Sequence, residues 1–486
     1  MKIGIIGAGP AGLSAAYELA NHGQQVTVFE QDPDFVGGIS RTVEYHGYRF
    51  DIGGHRFFSK SQEVEDFWTT ILGDNLLTRG RISRIFYDDK FYDYPLKPLN
   101  AFRNMGVWNT GLCLLDYAKA KTSPPKNIQT FEDWVVYHFG RRLYEMFFKT
   151  YTEKVWGTPC DQISADWAAQ RIKGLNLISA IKHAFFPQKT SSDKSLVVKT
   201  LIDTFRYPKL GPGMLWEQVA AKVTQMGGTL LMGQKVVELR HFNGRITSID
   251  SLFDKEQSRI TYQFDHVIST MPVRSLVRAL RPNLPQAVTK AAEALKYRDF
   301  ITVALVIDSP NLFPDNWIYI HDPKVKVGRI QNFGNWSPFM VPTNTTSCLG
   351  LEYFCFEGDG LWNSSDEALL KLAEQELNAL GLTRGHSVID GKVVRVPKAY
   401  PVYDEDYQSN VNTIVEYLRY SAQNLQLIGR NGMHRYNNQD HAMMTGFLAA
   451  RNILGSNYDL WAVNGDAEYL EEVSEERQVP KVVAKT

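Results

Sequence analysis

The sequence predicts an α/β protein in which a Rossmann-like nucleotide-binding domain carries a helical insertion and an antiparallel-sheet domain. Residues 3–30 follow the order strand, glycine-rich turn, helix and strand. Residues 60–200 are mostly helical and rich in aromatic side chains, and we expect Thr130 to cap a helix there, because Asp133 lies in its first turn. Residues 300–357 alternate as antiparallel strands do.

The nucleotide-binding domain is predicted to be discontinuous. Buried strands return at 266–272 and 425–430, and a closing helix covers 440–454. The predicted parts are the nucleotide-binding domain (1–75, 205–275 and 420–460), the helical insertion (76–204, with a strand pair near 84–94), the antiparallel-sheet substrate domain (276–419) and a C-terminal tail (461–486).

Composition excludes several classes of protein. Lys and Arg together number 53, as do Asp and Glu, so the 486-residue chain is formally neutral, which argues against nucleic-acid binding. Four scattered cysteines without a CxxC pair support neither a disulfide scaffold nor a metal site. We expect a cytoplasmic protein, because no secretory signal pattern and no run of about 20 apolar residues occurs.

The turn Gly7-Ala8-Gly9-Pro10-Ala11-Gly12 has the GxGxxG spacing of a dinucleotide site in its required context. Gly7 permits the tight turn, Gly9 lets the backbone approach a pyrophosphate, and Gly12 lets helix and strand pack closely. The start of the helix offers N–H groups to the phosphates. Glu30, 18 residues beyond Gly12, can accept hydrogen bonds from a ribose diol.

A second glycine segment predicts FAD rather than NAD. Gly37-Gly38-Ile39-Ser40-Arg41 would extend the anion site along a longer cofactor, and FAD enzymes of the amine-oxidase and mutase type carry such a GG-xx-R segment. The chain resembles that superfamily here. In Gly53-Gly54-His55, the glycines would let the backbone approach a planar ring such as a flavin.

Further segments carry Arg, Tyr or Trp in apolar settings: Lys154-Val155-Trp156, the pair Tyr319 and Arg329, Tyr400, and Asn438-Gln439-Asp440-His441. Planar cations and phenols bind a diphosphate well. In this order the segments resemble the UDP-galactopyranose mutase family, and the likeness spans residues 1–455.

The resemblance implies a role for each matching residue. The catalytic residues would be His55, on a loop over the flavin, with Arg171 and Arg329 as a diphosphate clamp. The substrate would contact Tyr94, Trp156, Tyr319, Tyr400, Tyr436 and Asn438. FAD would contact Gly7, Gly9, Gly12, Glu30, Gly38, Arg41, Gly54, Val236, Gly429 and Arg430.

The resemblance also implies a mechanism without net redox change. In such mutases, N5 of reduced FAD attacks the anomeric carbon of a nucleotide sugar, the diphosphate leaves, and the sugar ring recloses through a different hydroxyl. Arg171 and Arg329 would stabilise the leaving group. The implied activity is pyranose–furanose interconversion for cell-surface polysaccharide biosynthesis. The implied partners are a nucleotide sugar and a reductant, NAD(P)H or another.

Several positions depart from the family pattern. Leu96 and Lys97 stand where the family has an aromatic residue and an amide, and Thr152 replaces an asparagine. The spacing from Tyr436 to Asn438 is shorter than in eukaryotic mutases. These departures leave the nucleotide and the sugar open.

Two other functions remain open at this stage. An FAD-dependent oxidoreductase of the amine oxidase or protoporphyrinogen oxidase type shares the same glycine-rich start and fold. A flavin-binding protein without chemistry is the third hypothesis. Arg171, Arg329 and Tyr319 argue against it, because a scaffold without a ligand needs no buried cations. The sequence leaves the oligomeric state open.

Overall fold

The computed structural model describes residues 1–94, 96–123, 127–165, 204–253 and 258–463 of the chain. Arg171 lies outside the described residues, as does the predicted tail from residue 464 onward.

The strands of the described ranges are, in chain order, β1 (Lys2–Ile6), β2 (Gln25–Phe29), β3 (Thr42–Tyr45), β4 (Tyr48–Asp51), β5 (Leu76–Gly80), β6 (Ser83–Tyr87), β7 (Lys90–Asp93), β8 (Thr204–Pro208), β9 (Thr229–Leu231), β10 (Gln234–Phe242), β11 (Arg245–Phe253), β12 (Ser258–Tyr262), β13 (His266–Ser269), β14 (Leu280–Arg281), β15 (Tyr297–Ile307), β16 (Trp317–Ile320), β17 (Arg329–Asn332), β18 (Ser347–Cys355), β19 (Val388–Pro401) and β20 (Leu425–Leu427).

The α-helices of the same ranges are α1 (Pro10–Asn21), α2 (Gln62–Leu72), α3 (Pro98–Thr122), α4 (Phe131–Phe139), α5 (Arg141–Tyr144), α6 (Thr150–Trp156), α7 (Gly213–Gln225), α8 (Val273–Ala279), α9 (Gln286–Ala294), α10 (Phe333–Trp336), α11 (Asp366–Ala379), α12 (Tyr407–Ser421), α13 (Gly429–Gly432) and α14 (Gln439–Ile453).

A parallel sheet in the order β20-β13-β1-β2-β9 forms the nucleotide-binding part of the fold. Its strands come from the N-terminal, middle and C-terminal parts of the chain, and every neighbouring pair is parallel. Helices α1, α7 and α14 bury a shared apolar core against it. The crossing of α1 and α14 is close, because a Cβ on Gly446 would lie 2.3 Å from the carbonyl oxygen of Ala11.

A second sheet, in the order β19-β15-β18-β17-β16-β6-β7, forms the other large layer. Strands β15 and β18 are buried along their whole length, so both faces of the sheet are covered. The sequence prediction groups β6 and β7 with the helical insertion, whereas the structure pairs β6 with β16 in parallel. Local alternation identifies a strand, but the partner lies about 230 residues away and only the fold selects it.

The helices over 98–156 pack beside this sheet. Thr130 accepts a hydrogen bond from the N–H of Asp133 at 3.1 Å, which confirms the predicted cap of α4. Helix α3 has a non-helical residue at Gly106, which divides it. Within the described ranges, no helix has both the length and the apolar content needed to cross a membrane.

Candidate active site

The glycine-rich turn between β1 and α1 lies directly against the second glycine loop. Gly7 has φ +98°, and a Cβ on Gly12 would lie 1.9 Å from the carbonyl oxygen of Gly7. A Cβ on Gly9 would lie 3.9 Å from the Cα of Gly38. Gly9 and Gly38, from two different loops, therefore meet beside the start of α1, where N–H groups can bind a pyrophosphate.

Glu30 follows β2 and has its carboxylate fixed by the backbone. It accepts N–H groups from Ala8 at 2.8 Å and from Asp32 at 2.9 Å. Burial raises the pKa of Glu30 above its usual value. Each carboxylate oxygen has a further lone pair, so the group can still accept hydrogen bonds from ribose hydroxyls.

Arg41 is already paired. Its guanidinium forms an ion pair with Asp32 and lies 5.1 Å from the ring centroid of Phe35. The 3₁₀ turn at Gly38–Ser40 places Arg41 immediately after the second glycine loop. Its charge is thus near the predicted pyrophosphate groove but is balanced by Asp32.

Val236 belongs to an apolar core that includes Ile6 and Phe29, and Gly429 lies against α1. Val236 is buried in β10, two residues beyond Gln234, whose N–H donates to the carbonyl oxygen of Glu30 at 2.8 Å. Gly429 has φ +74°, and a Cβ there would lie 2.9 Å from the Cβ of Ala11. Glycine at 429 therefore lets the turn after β20 approach α1.

A cavity of about 1110 Å³ joins the nucleotide-binding part to the second sheet. Its wall includes ten residues predicted from the sequence: Gly54, His55, Tyr94, Trp156, Tyr319, Arg329, Tyr400, Arg430, Tyr436 and Asn438. This volume is ample for a planar cofactor ring together with a ligand.

His55 is a neutral imidazole at the edge of the cavity. Its Nδ1 lies 2.9 Å from the carbonyl oxygen of Gly53, which can only accept, so Nδ1 carries the proton. Burial, together with the nearby charges of Arg430 and Arg329, lowers the pKa of His55 to about 3. Its Nε2 is therefore a hydrogen-bond acceptor with no partner among the described residues.

Arg329 and Glu352 form a bidentate ion pair in the second sheet. The distances are 2.6 Å from Nε to Oε2 and 2.9 Å from Nη2 to Oε1. Glu352 is completely buried and also accepts a hydrogen bond from Nε2 of Gln331. Burial disfavours the guanidinium charge, but Glu352 outweighs burial and the pKa of Arg329 is raised. The remaining nitrogen, Nη1, donates to none of the described residues.

The His55 loop contacts this ion pair directly. A Cβ on Gly54 would lie 3.4 Å from the side-chain amide of Gln331 and 3.5 Å from the guanidinium carbon of Arg329. Gly54 therefore brings the backbone next to His55 into contact with the cation, which places the predicted flavin loop and the predicted phosphate clamp on one wall of the cavity.

Aromatic rings cover the wall beside Arg329. Tyr151 stacks on His321 with a centroid distance of 4.8 Å and an interplanar angle of 10°, and its edge meets Tyr319 at 5.5 Å. Tyr94 lies 4.7 Å from Tyr319. The Tyr151 hydroxyl makes no hydrogen bond to a described residue, and burial raises its pKa well above the usual value. It can donate to a ligand in the cavity.

Arg430 holds two tyrosines at the other wall. Its nitrogens donate to the carbonyl oxygen of Asn437 at 3.0 and 2.8 Å and to that of Ala399 at 3.0 Å. Its guanidinium carbon lies 5.0 Å from the ring centroids of both Tyr400 and Tyr436, which are parallel and 5.8 Å apart. Arg430 thus joins the end of β19 to the turn before α14.

Trp156 ends α6, and two cations fix that helix. Lys154 donates to the carbonyl oxygens of Ile320, Asp322 and Val327, at 3.2, 2.7 and 3.1 Å. Burial lowers the pKa of Lys154 to about 8. Arg298 similarly donates to the carbonyl oxygens at the end of α6. The Lys154-Val155-Trp156 segment therefore positions the indole, with Lys154 as its anchor.

Asn438 immediately precedes α14 and lies at the cavity wall. Its N–H is 3.4 Å from Nδ1 of His441 in the first turn of the helix. The next side chains, Gln439 and Asp440, also line the cavity. The start of α14 therefore faces the cavity with donors and acceptors.

Sequence reasoning did not include Glu352, Gln331 or Tyr151 among the site residues. Glu352 lies in the strand Ser-Cys-Leu-Gly-Leu-Glu-Tyr-Phe-Cys, where a single charge in an apolar run was a usable signal for a buried ion pair. Tyr151 gave no such signal, because an aromatic residue on a helix is more often part of a core.

Comparisons with known sequences identify flavoenzymes. The sequence pattern described as flavin containing amine oxidoreductase matches residues 10–454. An L-amino-acid oxidase of Bothrops jararacussu is 34% identical over 125 residues, 22% of this chain and 24% of the relative. A 1-hydroxycarotenoid 3,4-desaturase of Flavobacterium sp. (strain P99-3) is 51% identical over 53 residues, 11% of each chain. The matched part is thus a quarter or less of the length of these relatives.

Solved structures with the same fold cover nearly the whole chain. Reduced UDP-galactopyranose mutase superposes with a TM-score of 0.80 at 22% identity, covering 96% of this chain and 98% of the other. A candidate protoporphyrinogen oxidase from Exiguobacterium sp. 255-15 superposes with a TM-score of 0.71 at 16% identity, covering 93% and 98%. These likenesses confirm the predicted fold class.

FAD is the cofactor that the comparisons establish, as the sequence predicts, and the site fits it. Gly9 and Gly38 meet beside the start of α1 without side chains, so a pyrophosphate can approach the backbone there, and Glu30 has capacity for a ribose. Gly53 and Gly54 line a cavity large enough for the flavin ring. These residues would hold the cofactor.

Proposed function

The chain belongs to the family of flavin-containing amine oxidoreductases, and from that premise we propose that it is a mutase interconverting the pyranose and furanose forms of a nucleoside-diphosphate sugar. When bound, reduced FAD supplies a nucleophilic N5 toward the anomeric carbon of the sugar. The net reaction breaks and remakes the bond from that carbon to the diphosphate and moves ring closure to another hydroxyl oxygen, without net oxidation.

The observation that carries the proposal is the position of Arg329. A guanidinium occupies the wall of the cavity, in contact with the Gly54 backbone and next to the phenol of Tyr319. Fixed cations and phenol donors suit a diphosphate that gains charge as it leaves. The substrate of an amine or polyene oxidase carries no diphosphate.

Glu352 determines how Arg329 can act. Two guanidinium nitrogens are held by the carboxylate, so the direction of Nη1 is fixed before a ligand arrives. The same carboxylate balances the charge, so the clamp needs a second cation. We propose Arg171 for that role, as the family resemblance implies.

The other residues of the cavity wall can contact the substrate in different ways. Tyr151 and Tyr400 have hydroxyls without a partner among the described residues, and they can donate to diphosphate or sugar oxygens. His55 is neutral, so it adds no third charge, and its Nε2 can accept a hydrogen bond from a sugar hydroxyl. Trp156 provides an apolar face for the sugar ring.

The test is ring-size exchange with the purified flavoprotein. The dithionite-reduced protein is incubated with UDP-galactofuranose, UDP-galactopyranose and a panel of other nucleoside-diphosphate hexoses, and products are separated by anion-exchange chromatography. We expect interconversion of one pair by the reduced protein and none by the oxidised protein. Arg329→Ala should lower the exchange rate by about 100- to 1000-fold. Arg395→Ala is the control, because Arg395 lies on β19 outside the cavity wall, and it should leave the exchange rate unchanged. Absence of exchange with every sugar would refute the proposal.

One observation favours an oxidoreductase as the second candidate. Glu352 neutralises Arg329, and a cavity with balanced charge also suits a neutral or cationic substrate. The names of the curated relatives are those of an oxidase and of desaturases. Oxygen consumption or dye reduction with amines, porphyrinogens or polyenes, together with no binding of UDP, would establish this alternative.

A further inference from the structure

Helix α3 exposes large apolar side chains to solvent. Trp108 is 79% exposed, Val107 is 76% exposed and Leu115 is 67% exposed. Cys113 is buried, and α3 packs against α4 and α5. This is the reverse of an ordinary surface helix, whose large apolar residues face the core.

The exposed residues share one face of the helix beyond Gly106. They recur three, four and seven residues apart, which is the repeat of an α-helical face. We name this set the α3 face: Val107, Trp108, Gly111, Leu114, Leu115 and Ala118.

Further exposed apolar residues lie between the cavity and Gly106. Leu96 lines the cavity and is also exposed, and Leu99 and Phe102 are exposed in the first turns of α3. Exposed apolar side chains therefore occur both at the cavity wall and along the helix. A cluster of exposed apolar residues such as the α3 face marks an interaction site more often than isolated exposed residues do.

The charges around the α3 face are predominantly positive. Arg103 and Lys119 are exposed on α3, and Lys121 lies near its end. The acid on this helix, Asp116, lies 4.0 Å from Arg142. Any symmetric contact between two copies through this face would bring these cations together, which disfavours a second copy as the occupant. An anionic surface complements them.

We propose that the α3 face binds the surface of an anionic lipid bilayer. Its Trp, Leu and Val side chains enter the interfacial region, while Arg103 and Lys119 contact lipid phosphates. No spanning helix is required, because the helix lies along the surface. Docked in this way, the Leu96 side of the cavity lies next to the membrane. The inference does not depend on the proposed mutase activity.

The test is co-sedimentation of the FAD-loaded protein with vesicles. We expect binding to vesicles of phosphatidylglycerol and phosphatidylcholine, and weaker binding to phosphatidylcholine alone. The double variant Trp108→Ser/Leu115→Ser should bind at least about tenfold more weakly. Arg103→Gln and Lys119→Gln should each weaken binding about fivefold, an effect that added salt should mimic.

Tyr420→Ser provides the matched control, because Tyr420 is 73% exposed on α12 and is not part of the α3 face. It should bind vesicles as the unmodified protein does. Equal sedimentation of the double variant and Tyr420→Ser would overturn the proposal. So would a concentration-dependent dimer, measured by light scattering, that the double variant abolishes while vesicle binding is absent. Flavin absorbance confirms that each variant is folded.

Discussion

Arg329 on β17 and Glu352 on β18 are direct cross-strand partners, and two hydrogen bonds of 2.6 and 2.9 Å join them inside the cavity wall. The register of two antiparallel strands thus places a completely buried carboxylate against the guanidinium predicted to bind substrate. The ion pair is part of the sheet structure, and its carboxylate balances the positive charge that Arg329 brings to the cavity.

Removing the carboxylate should destabilise the fold. Glu352→Gln leaves a largely buried guanidinium without its counter-charge, and we expect the free energy of unfolding to fall by about 3 kcal/mol. Equilibrium denaturation followed by circular dichroism measures this. Glu293→Gln, which breaks the exposed pair with Arg278, is the control and should cost less than about 1 kcal/mol. Equal losses would show that the Arg329–Glu352 pair has no special role.

Changing Arg329 while keeping its charge should separate geometry from electrostatics. Arg329→Lys retains the cation but loses the planar fork that both Glu352 and a diphosphate require. We expect the Kd for UDP to rise about tenfold in Arg329→Lys and about a hundredfold in Arg329→Ala. Titration calorimetry of the FAD-loaded protein gives both values. UDP binding that is unchanged in Arg329→Ala would place the diphosphate elsewhere.

Gly12 should be indispensable for FAD. Alanine at this position would put a Cβ 1.9 Å from the carbonyl oxygen of Gly7, so the turn must open. We expect Gly12→Ala to purify with little flavin, measured as the ratio of flavin to protein absorbance. Gly111→Ala is the matched control, because nothing lies within 4 Å of its Cβ. It should retain FAD and gain about 0.5–1 kcal/mol of stability. Full flavin content in Gly12→Ala would contradict the packing role.

Stability should fall in mild acid because of His321. Burial lowers the pKa of His321 from 6.5 to about 3, so the unfolded chain takes up the proton first. Its contribution is complete above pH 6.5 and is lost progressively as the pH falls toward 3. At pH 5 the loss from this residue should be about 2 kcal/mol.

His321→Phe retains a ring against Tyr151 but removes the titrating group. We expect its free energy of unfolding to decline less between pH 8 and pH 5 than that of the unmodified protein, by about 2 kcal/mol. Comparison of the two proteins at pH 8 gives the packing effect alone. Parallel pH dependences would show that the His321 imidazole does not titrate as its burial requires.

The sequence alone determined the nucleotide-binding turn and the α/β class, predicted FAD, and identified ten residues of the cavity wall. The strand, the turn with Gly7 and Gly12, the helix and Glu30 are consecutive, so the geometry follows from local backbone rules. The roles of the wall residues, including Arg171, are still predictions.

Tertiary structure alone decided how these residues are paired. Glu352 meets Arg329 because β17 and β18 align in one register, and Arg430 lies between Tyr400 and Tyr436 because a turn packs against the end of β19. Strands β6 and β7 join the second sheet for the same reason. Strand order and register depend on contacts between distant segments, and local patterns identify the elements but not their partners.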